Sequence, residues 1–364
     1  MTSSQRINLS KALSYTLKSM PRGKNYNQSI DNSCNLPYRH VSIDYNSDCF
    51  LCGCEGWLPV PVGKVSDFDS LEDIWNSPTA KIIQRDIDDK KFTWCAVEHC
   101  GIVNHNINQP TYSLSINIDD SCNLACPSCR REMKMVEKGD VFDNKVSDLS
   151  RVLDWLEKFE YPIVINIGGT GDPFASSILR NIIRDYRYKQ GQKFQIATNG
   201  LLIKKLLPGS ALMSTSPTIG ISVDAGSAEV YEKVRRPGKW ETLIENLVWL
   251  SENRGHSCVN LNFVVQYTNY QDLPKFIELC RRFNFGGNVT PLSDWGTWNS
   301  QSVINPDAYT IANGTYLDHD VANVQHPAHL DFVDILIKEK SNNYSFIQFN
   351  SYFDRYNKDN HVSG

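Results

Sequence analysis

Along the middle of the chain, short apolar runs with a two-residue rhythm alternate with longer runs of helical rhythm. Leu114–Ile118, Ile163–Ile167, Lys193–Ala197, Ile219–Val223, Asn260–Val265 and Asn288–Leu292 read as strands. Val146–Phe159, Ala175–Lys189, Trp240–Asn253 and Gln271–Phe283 read as helices, and the stretch after Gly200 carries a shorter, weaker helical signal. Strands separated by helices predict parallel βα units, hence an α/β fold. Periodicity alone does not separate a barrel from a doubly wound open sheet. After the sixth strand the pattern fades to one helix at Ala328–Lys340 and a polar tail from Asn342.

At 364 residues the chain has room for a barrel and a small additional domain. Hydrophobic residues are 41% and charged residues 21%, the balance of a folded globular protein. A net charge of −4 argues against nucleic acid as the main partner. No apolar run approaches the roughly 18 residues that would span a bilayer. Residues 1–25 hold Arg6, Lys11, Lys18, Arg22 and Lys24 and no acid. That resembles an organelle transit segment, and the reading preferred here is a short surface helix at Leu9–Met20.

Eleven cysteines, clustered rather than evenly spread, fit metal ligands in a reducing compartment, so a cytoplasmic protein is expected. Cys34, Cys49, Cys52, Cys54, Cys95 and Cys100 precede a polar, proline-containing link at Gly101–Tyr112. The composition divides the chain into an N-terminal arm (1–30), a cysteine-rich segment (31–104), the βα region (110–300) and a C-terminal extension (301–364).

The chemistry centres on Cys122, Cys126 and Cys129, in a loop that follows the first strand of the βα region. Three thiolates on one loop can hold three corners of a cubane iron–sulfur cluster and leave the fourth iron open to a ligand. A zinc knuckle would need a fourth Cys or His nearby, and the next cysteines downstream, Cys258 and Cys280, are remote. The CxxxCxxC spacing after a first strand resembles the radical S-adenosylmethionine (SAM) enzymes. That resemblance implies a partial (β/α)6 TIM-like barrel, a 4Fe–4S cluster on Cys122, Cys126 and Cys129, and SAM chelated to the open iron.

Later motifs extend the resemblance. Thr170-Gly171-Asp172-Pro173 stands where the family has Gly-Gly-Glu-Pro, facing the ammonium of SAM; Thr170 and Asp172 depart from that pattern, which points to an indirect acidic contact. Thr198-Asn199-Gly200 matches a turn that lines the SAM pocket. Ser222-Val-Asp224 followed by Tyr231-Glu-Lys-Val-Arg235 resembles the family's Ser-x-Asp … Tyr-x-x-x-Arg stretch. On that match Ser222 and Arg235 hold the SAM carboxylate, and Asp224 faces ribose or substrate. Asn269 is a weaker candidate at the fifth strand end. Ser128 occupies the place of an aromatic residue that touches adenine in many members.

Before the barrel, Gly63-Lys-Val … Ser70-Leu-Glu-Asp-Ile-Trp-Asn-Ser77, with the flanking cysteines, resembles the SPASM/twitch auxiliary domain. In the family that domain normally follows the barrel. The resemblance implies one second 4Fe–4S cluster on Cys34, Cys52, Cys95 and Cys100, with Cys49 or Cys54 as rivals to Cys52. A four-thiolate zinc site is the alternative.

The resulting expectation is a radical SAM enzyme acting on a peptide or protein by cross-linking, oxidation or epimerisation, with flavodoxin or ferredoxin as electron donor. A sugar or nucleotide substrate is the first alternative. A non-catalytic iron–sulfur or zinc protein is the second. The sequence leaves the oligomeric state open.

Overall fold

The computed structural model describes residues 34–53, 58, 60–95, 111–130, 132–293 and 316–356. The expected helix at Leu9–Met20, most of the link Gly101–Tyr112, Cys54 and Cys100 lie outside the described residues.

Among the described residues ten strands form one sheet: β1 (His40–Ile43), β2 (Asp48–Phe50), β3 (Gly63–Lys64), β4 (Tyr112–Ile116), β5 (Ile163–Ile167), β6 (Gln192–Thr198), β7 (Thr218–Ser222), β8 (Cys258–Val265), β9 (Gly286–Pro291) and β10 (Ile347–Phe349). Their spatial order is β10-β9-β8-β7-β6-β5-β4-β1-β2-β3. From β4 to β9 each strand lies parallel to the next one in sequence. A doubly wound sheet needs a point where strand order reverses, and this run has none. Crossovers between parallel strands are right-handed as a rule, which puts the connecting helices on one face, the winding of a partial (β/α)6 barrel.

Alternation explains the two faces. Leu114, Ile116, Ile165, Ile167, Ile196, Ile221 and Phe263 are buried beneath the helices. Helix Asp140–Lys158 contributes Leu149, Val152 and Trp155 to that layer, and Phe276 from helix Leu273–Phe283 meets Phe263 at 4.9 Å. Each such side chain contributes about 1.5–3 kcal/mol when fully buried. The opposite face carries Ser115, Asn166, Ser222, Asn262 and Asn288, all half-buried. Ser115 pairs in register with Asn166, and Ser222 with Asn262, which pairs with Asn288.

Helix Trp240–Asn253 has the expected bounds, and the last helix is His329–Ser341. The expected helix Ala175–Lys189 is only Arg180–Asp185. Asp172 and Ser176 take the backbone N–H groups of Phe174, Ala175 and Leu179, which holds the preceding residues in turns.

The cysteine-rich segment extends the barrel's sheet. β1 lies parallel to β4, pairing His40 with Ser113 and Ile43 with Ile116, and β2 and β3 continue antiparallel. Ser70 caps helix Leu71–Asn76 by accepting the Asp73 N–H at 3.1 Å. That helix delivers Trp75, whose indole N–H donates to the His40 carbonyl at 3.1 Å. At the other edge β10 adds to β9. Among the described residues no helix is long and apolar enough to cross a membrane.

Candidate functional site

The Cys122–Cys129 loop leaves the end of β4 and is clasped from several sides. Asp119 is buried; it accepts the Ser121 N–H and hydroxyl and, at 2.5 Å, the Ser176 hydroxyl. Cys122 exchanges both backbone hydrogen bonds with Lys134, at 2.7 and 3.2 Å. Ala125 N–H donates to the Arg236 carbonyl at 2.6 Å, and Cys129 and Arg130 N–H both donate to the Cys126 carbonyl at 2.9 Å. The three thiols therefore sit on a fixed backbone, with Cys126 buried, Cys122 half-buried and Cys129 exposed.

The glycine-rich turn after β5 packs directly on this loop. A side chain at Gly171 would meet the Ser121 carbonyl oxygen at 2.6 Å and the Asp119 carbonyl oxygen at 2.9 Å. Arg130 donates to the Asp120 carbonyl at 2.6 Å and to the Thr170 carbonyl, tying turn and loop together. Asp172 is buried and fully engaged. It accepts the Thr198 hydroxyl and Asn199 N–H, each at 2.7 Å, and the Phe174 and Ala175 N–H groups at 3.0 and 3.1 Å. Burial raises its pKa, and those hydrogen bonds oppose the rise. Its carboxylate thus positions the turn after β6, where Asn199 donates to Asn123 at 2.8 Å and approaches the Cys122 sulfur at 3.9 Å.

Arg235 and Asp224 meet on the other side. Their ion pair is 2.5 Å long, and Arg235 also places a terminal nitrogen 3.7 Å from the Cys126 sulfur. Asp224 has φ +55° and accepts the Val264 N–H at 2.8 Å; Asn269 donates to its carbonyl at 2.9 Å. The Arg235 Nε–H is buried without a partner. Burial pushes the Cys126 thiol up to about 11 against the pull of Arg235, and raises Cys122 as well. Thiolates here therefore call for a cationic neighbour such as iron. Ser222 closes β7 on the half-buried face.

The structure thus brings Cys122, Cys126, Thr170, Gly171, Asp172, Asn199, Asp224 and Arg235 around one loop. The sequence reading missed Asp119, Arg130 and Lys145. Lys145 donates to the Ile118 carbonyl at 2.6 Å and to the Tyr45 carbonyl, joining the loop's root to the N-terminal segment. Asp119 and Ser121 have the two-residue spacing of an Asx turn, a signal that could have exposed the first; Lys145 left none, since its partners are backbone atoms.

In the N-terminal segment Cys34 and Cys95 are half-buried, and Cys49 and Cys52 are buried. Cys49 lies within β2, wholly buried, and its pKa is well raised by burial and then by Asp48, Asp44, Asp67 and Asp148. Cys52 sits on the turn beyond that strand, away from the ladder. Among the described residues no three Cys, His, Asp or Glu side chains gather tightly enough for a single metal ion. A cubane spreads its irons over separate corners, so cluster thiolates stand farther apart than the ligands of one ion.

These features define an α/β partial-barrel protein with a thiol-rich loop at the C-terminal strand ends. Residues 116–280 match the radical SAM superfamily, and residues 34–101 match SPASM, an iron–sulfur cluster-binding domain. The chain thus carries a radical SAM domain with a SPASM domain ahead of it in the sequence. The cofactors that go with these domains are 4Fe–4S clusters and SAM. Mycofactocin maturase MftC of Mycolicibacterium smegmatis is 28% identical over 176 residues, 48% of this chain and 43% of that protein. A probable GTP 3′,8-cyclase of Saccharolobus islandicus is 29% identical over 180 residues, 50% of this chain and 56% of that protein. The chain spans about half the length of the curated relatives it matches. Streptococcus suis SuiB, solved with its precursor peptide SuiA, aligns with a TM-score of 0.44 and 15% identity over 78% of this chain and 55% of that one.

Proposed function

We propose that this protein is a radical SAM enzyme that modifies a peptide or protein. The cluster and SAM together would supply a 5′-deoxyadenosyl radical, which takes an unactivated hydrogen from the substrate. Cys122, Cys126 and Cys129 would hold the cluster. The donor set suits it: Asn199 and Arg235 point N–H groups at two of the sulfurs, the kind of hydrogen bonding that tunes a cluster. The unpartnered Arg235 Nε–H suits the SAM carboxylate, and Ser222 at the end of β7 would share it. The carbonyls of Thr170 and Gly171 suit its ammonium, with Asp172 shaping that turn from behind. Asn199 would border the pocket.

The domain division proposed is an arm (1–30), the auxiliary domain (31–104), the core (110–300) and an extension (301–364). Within the auxiliary domain Cys34, Cys52, Cys95 and Cys100 would hold a second 4Fe–4S cluster. The compartment proposed is the cytoplasm, with a flavodoxin or ferredoxin as reductant.

The observation that carries the peptide reading is the half-buried sheet face. Ser115, Asn166, Ser222, Asn262 and Asn288 offer neutral amides and hydroxyls, and Gln195 adds another amide; the basic residue that these strands bring to the face is Lys193, near the start of β6 and away from the strand ends. A peptide backbone pairs with such groups, whereas a triphosphate calls for Arg and Lys. The match to a GTP 3′,8-cyclase favours a nucleotide as the second reading. Anaerobic protein reconstituted with iron and sulfide, given dithionite and SAM, should form 5′-deoxyadenosine. The Cys122→Ala/Cys126→Ala/Cys129→Ala variant should form none. Equal amounts from both proteins would end the assignment.

A further inference from the structure

His40 opens β1 and is 5% exposed, yet its Nε2 has no hydrogen-bond partner. The ring is fixed from the other side, with Nδ1 2.7 Å from the Ser113 hydroxyl on β4. Its backbone is fixed as well, the His40 carbonyl accepting from the Trp75 indole. Nε2 is directed at the cysteine turn: a side chain at Gly53 would meet it at 3.7 Å. Gly53 lies between Cys52 and Cys54 in the sequence. A buried, orphaned ring nitrogen is costly when nothing answers it, so its place beside a thiol-rich turn asks for a partner.

We infer that His40 donates its Nε2–H to a sulfur of the auxiliary iron–sulfur cluster and thereby sets that cluster's potential. This rests on the auxiliary-cluster reading above. The segment already holds six cysteines, so a further ligand is not needed, whereas a hydrogen-bond donor to sulfur is a recognised lever on potential. The Ser113 hydroxyl would donate to Nδ1, which leaves the hydrogen on Nε2. Burial lowers the His40 pKa to about 4, so the ring is neutral near pH 7 and carries one such hydrogen. A hydrogen bond to sulfur stabilises the more negative, reduced cluster, so its loss should shift the midpoint potential downward. Because β1 pairs with β4, the strand that leads into the SAM-cluster loop, His40 is a positioning residue held by the barrel itself.

The test uses the full-length chain with Cys122, Cys126 and Cys129 replaced by Ala, so that only the auxiliary cluster contributes to the spectra. Iron content, a potentiometric EPR titration and ENDOR of exchangeable protons are measured for His40, His40→Phe and His40→Gln. With iron retained, His40→Phe should lower the midpoint and remove one exchangeable-proton coupling. His40→Gln, which keeps an N–H at similar reach, should restore most of both. An unchanged midpoint and proton spectrum in His40→Phe, with iron intact, overturns the inference and leaves the auxiliary cluster standing. Should His40→Phe lose its iron, ¹⁵N-histidine labelling of the parent decides: a nitrogen coupling to the reduced cluster supports the inference, and its absence overturns it. Absence of auxiliary iron from the parent itself overturns both readings.

Discussion

Arg235 and Asp224 form a 2.5 Å ion pair whose arginine also reaches the Cys126 sulfur at 3.7 Å. Both residues belong to the first half of the β7–β8 crossover: Asp224 lies just past β7, and Arg235 at the end of helix Ala228–Val234. Their side chains are 4% and 14% exposed, so the pair operates largely out of water. One arginine therefore couples a strand end to the thiol loop, through a contact that neither segment makes alone.

Breaking this pair should be costly. Asp224→Asn and Arg235→Met are each expected to destabilise the protein by about 3–5 kcal/mol, because each leaves its partner charged, buried and unpaired. Asn is chosen because it tolerates the left-handed backbone at this position. The double variant should lose clearly less than the sum. Denaturant unfolding under anaerobic conditions measures all three; losses that add to within about 0.5 kcal/mol would show that the two residues act independently.

Arg235 should also matter to SAM. Its free Nε–H predicts that Arg235→Met weakens SAM binding to the cluster-loaded protein by about 1.5–3 kcal/mol, the scale of a charged hydrogen bond. Equilibrium binding at matched iron content is the readout. An unchanged affinity would confine Arg235 to holding Cys126 and Asp224.

Gly171 should tolerate no side chain. Its modest surroundings in sequence hide a close approach, since a methyl group there would strike backbone atoms of Asp119, Asp120 and Ser121 at 2.6–2.9 Å. Backbone cannot swing aside as a flexible side chain can. Gly171→Ala is therefore expected to displace the root of the thiol loop, lower iron retention at that loop and cost roughly 1–3 kcal/mol. Full iron content and a wild-type unfolding midpoint would show that the loop yields without loss.

What was legible in the sequence follows the range of the interactions. The six core strands showed because their apolar residues alternate, and Ile163–Ile167 matches its expected bounds. The thiol loop and its neighbours showed because spacing along one loop or strand end is local. The joining of β1 to β4 did not show: it is a contact between segments some 70 residues apart, and the apolar runs of β1 are too short to announce a partner. Asp172 was legible as an acid near the site but not in its orientation, because its partners Thr198 and Asn199 lie on another strand end. His40 left no signal, since its meaning depends on which ring nitrogen is left unpartnered after folding.

The rival cysteines of the auxiliary segment can be separated by substitution. Cys49 is a strand residue paired with Ile43 and Gly63, its thiol wholly buried among apolar neighbours and shadowed by four carboxylates. Both burial and that negative field disfavour a thiolate, so Cys49 suits core packing. Cys52 is also buried, but it sits on the bend beyond β2, outside the ladder. Cys49→Ala should therefore keep its iron while losing about 1–3 kcal/mol of stability as a small cavity opens. Cys52→Ala should lower iron content, and block product formation, while some uncoupled SAM cleavage persists at the barrel cluster. Iron and sulfide analysis of anaerobically purified single variants, beside unfolding curves, reads both effects. The reverse pattern, with iron lost from Cys49→Ala and kept in Cys52→Ala, would move the ligand onto β2 and require that strand to open around the metal.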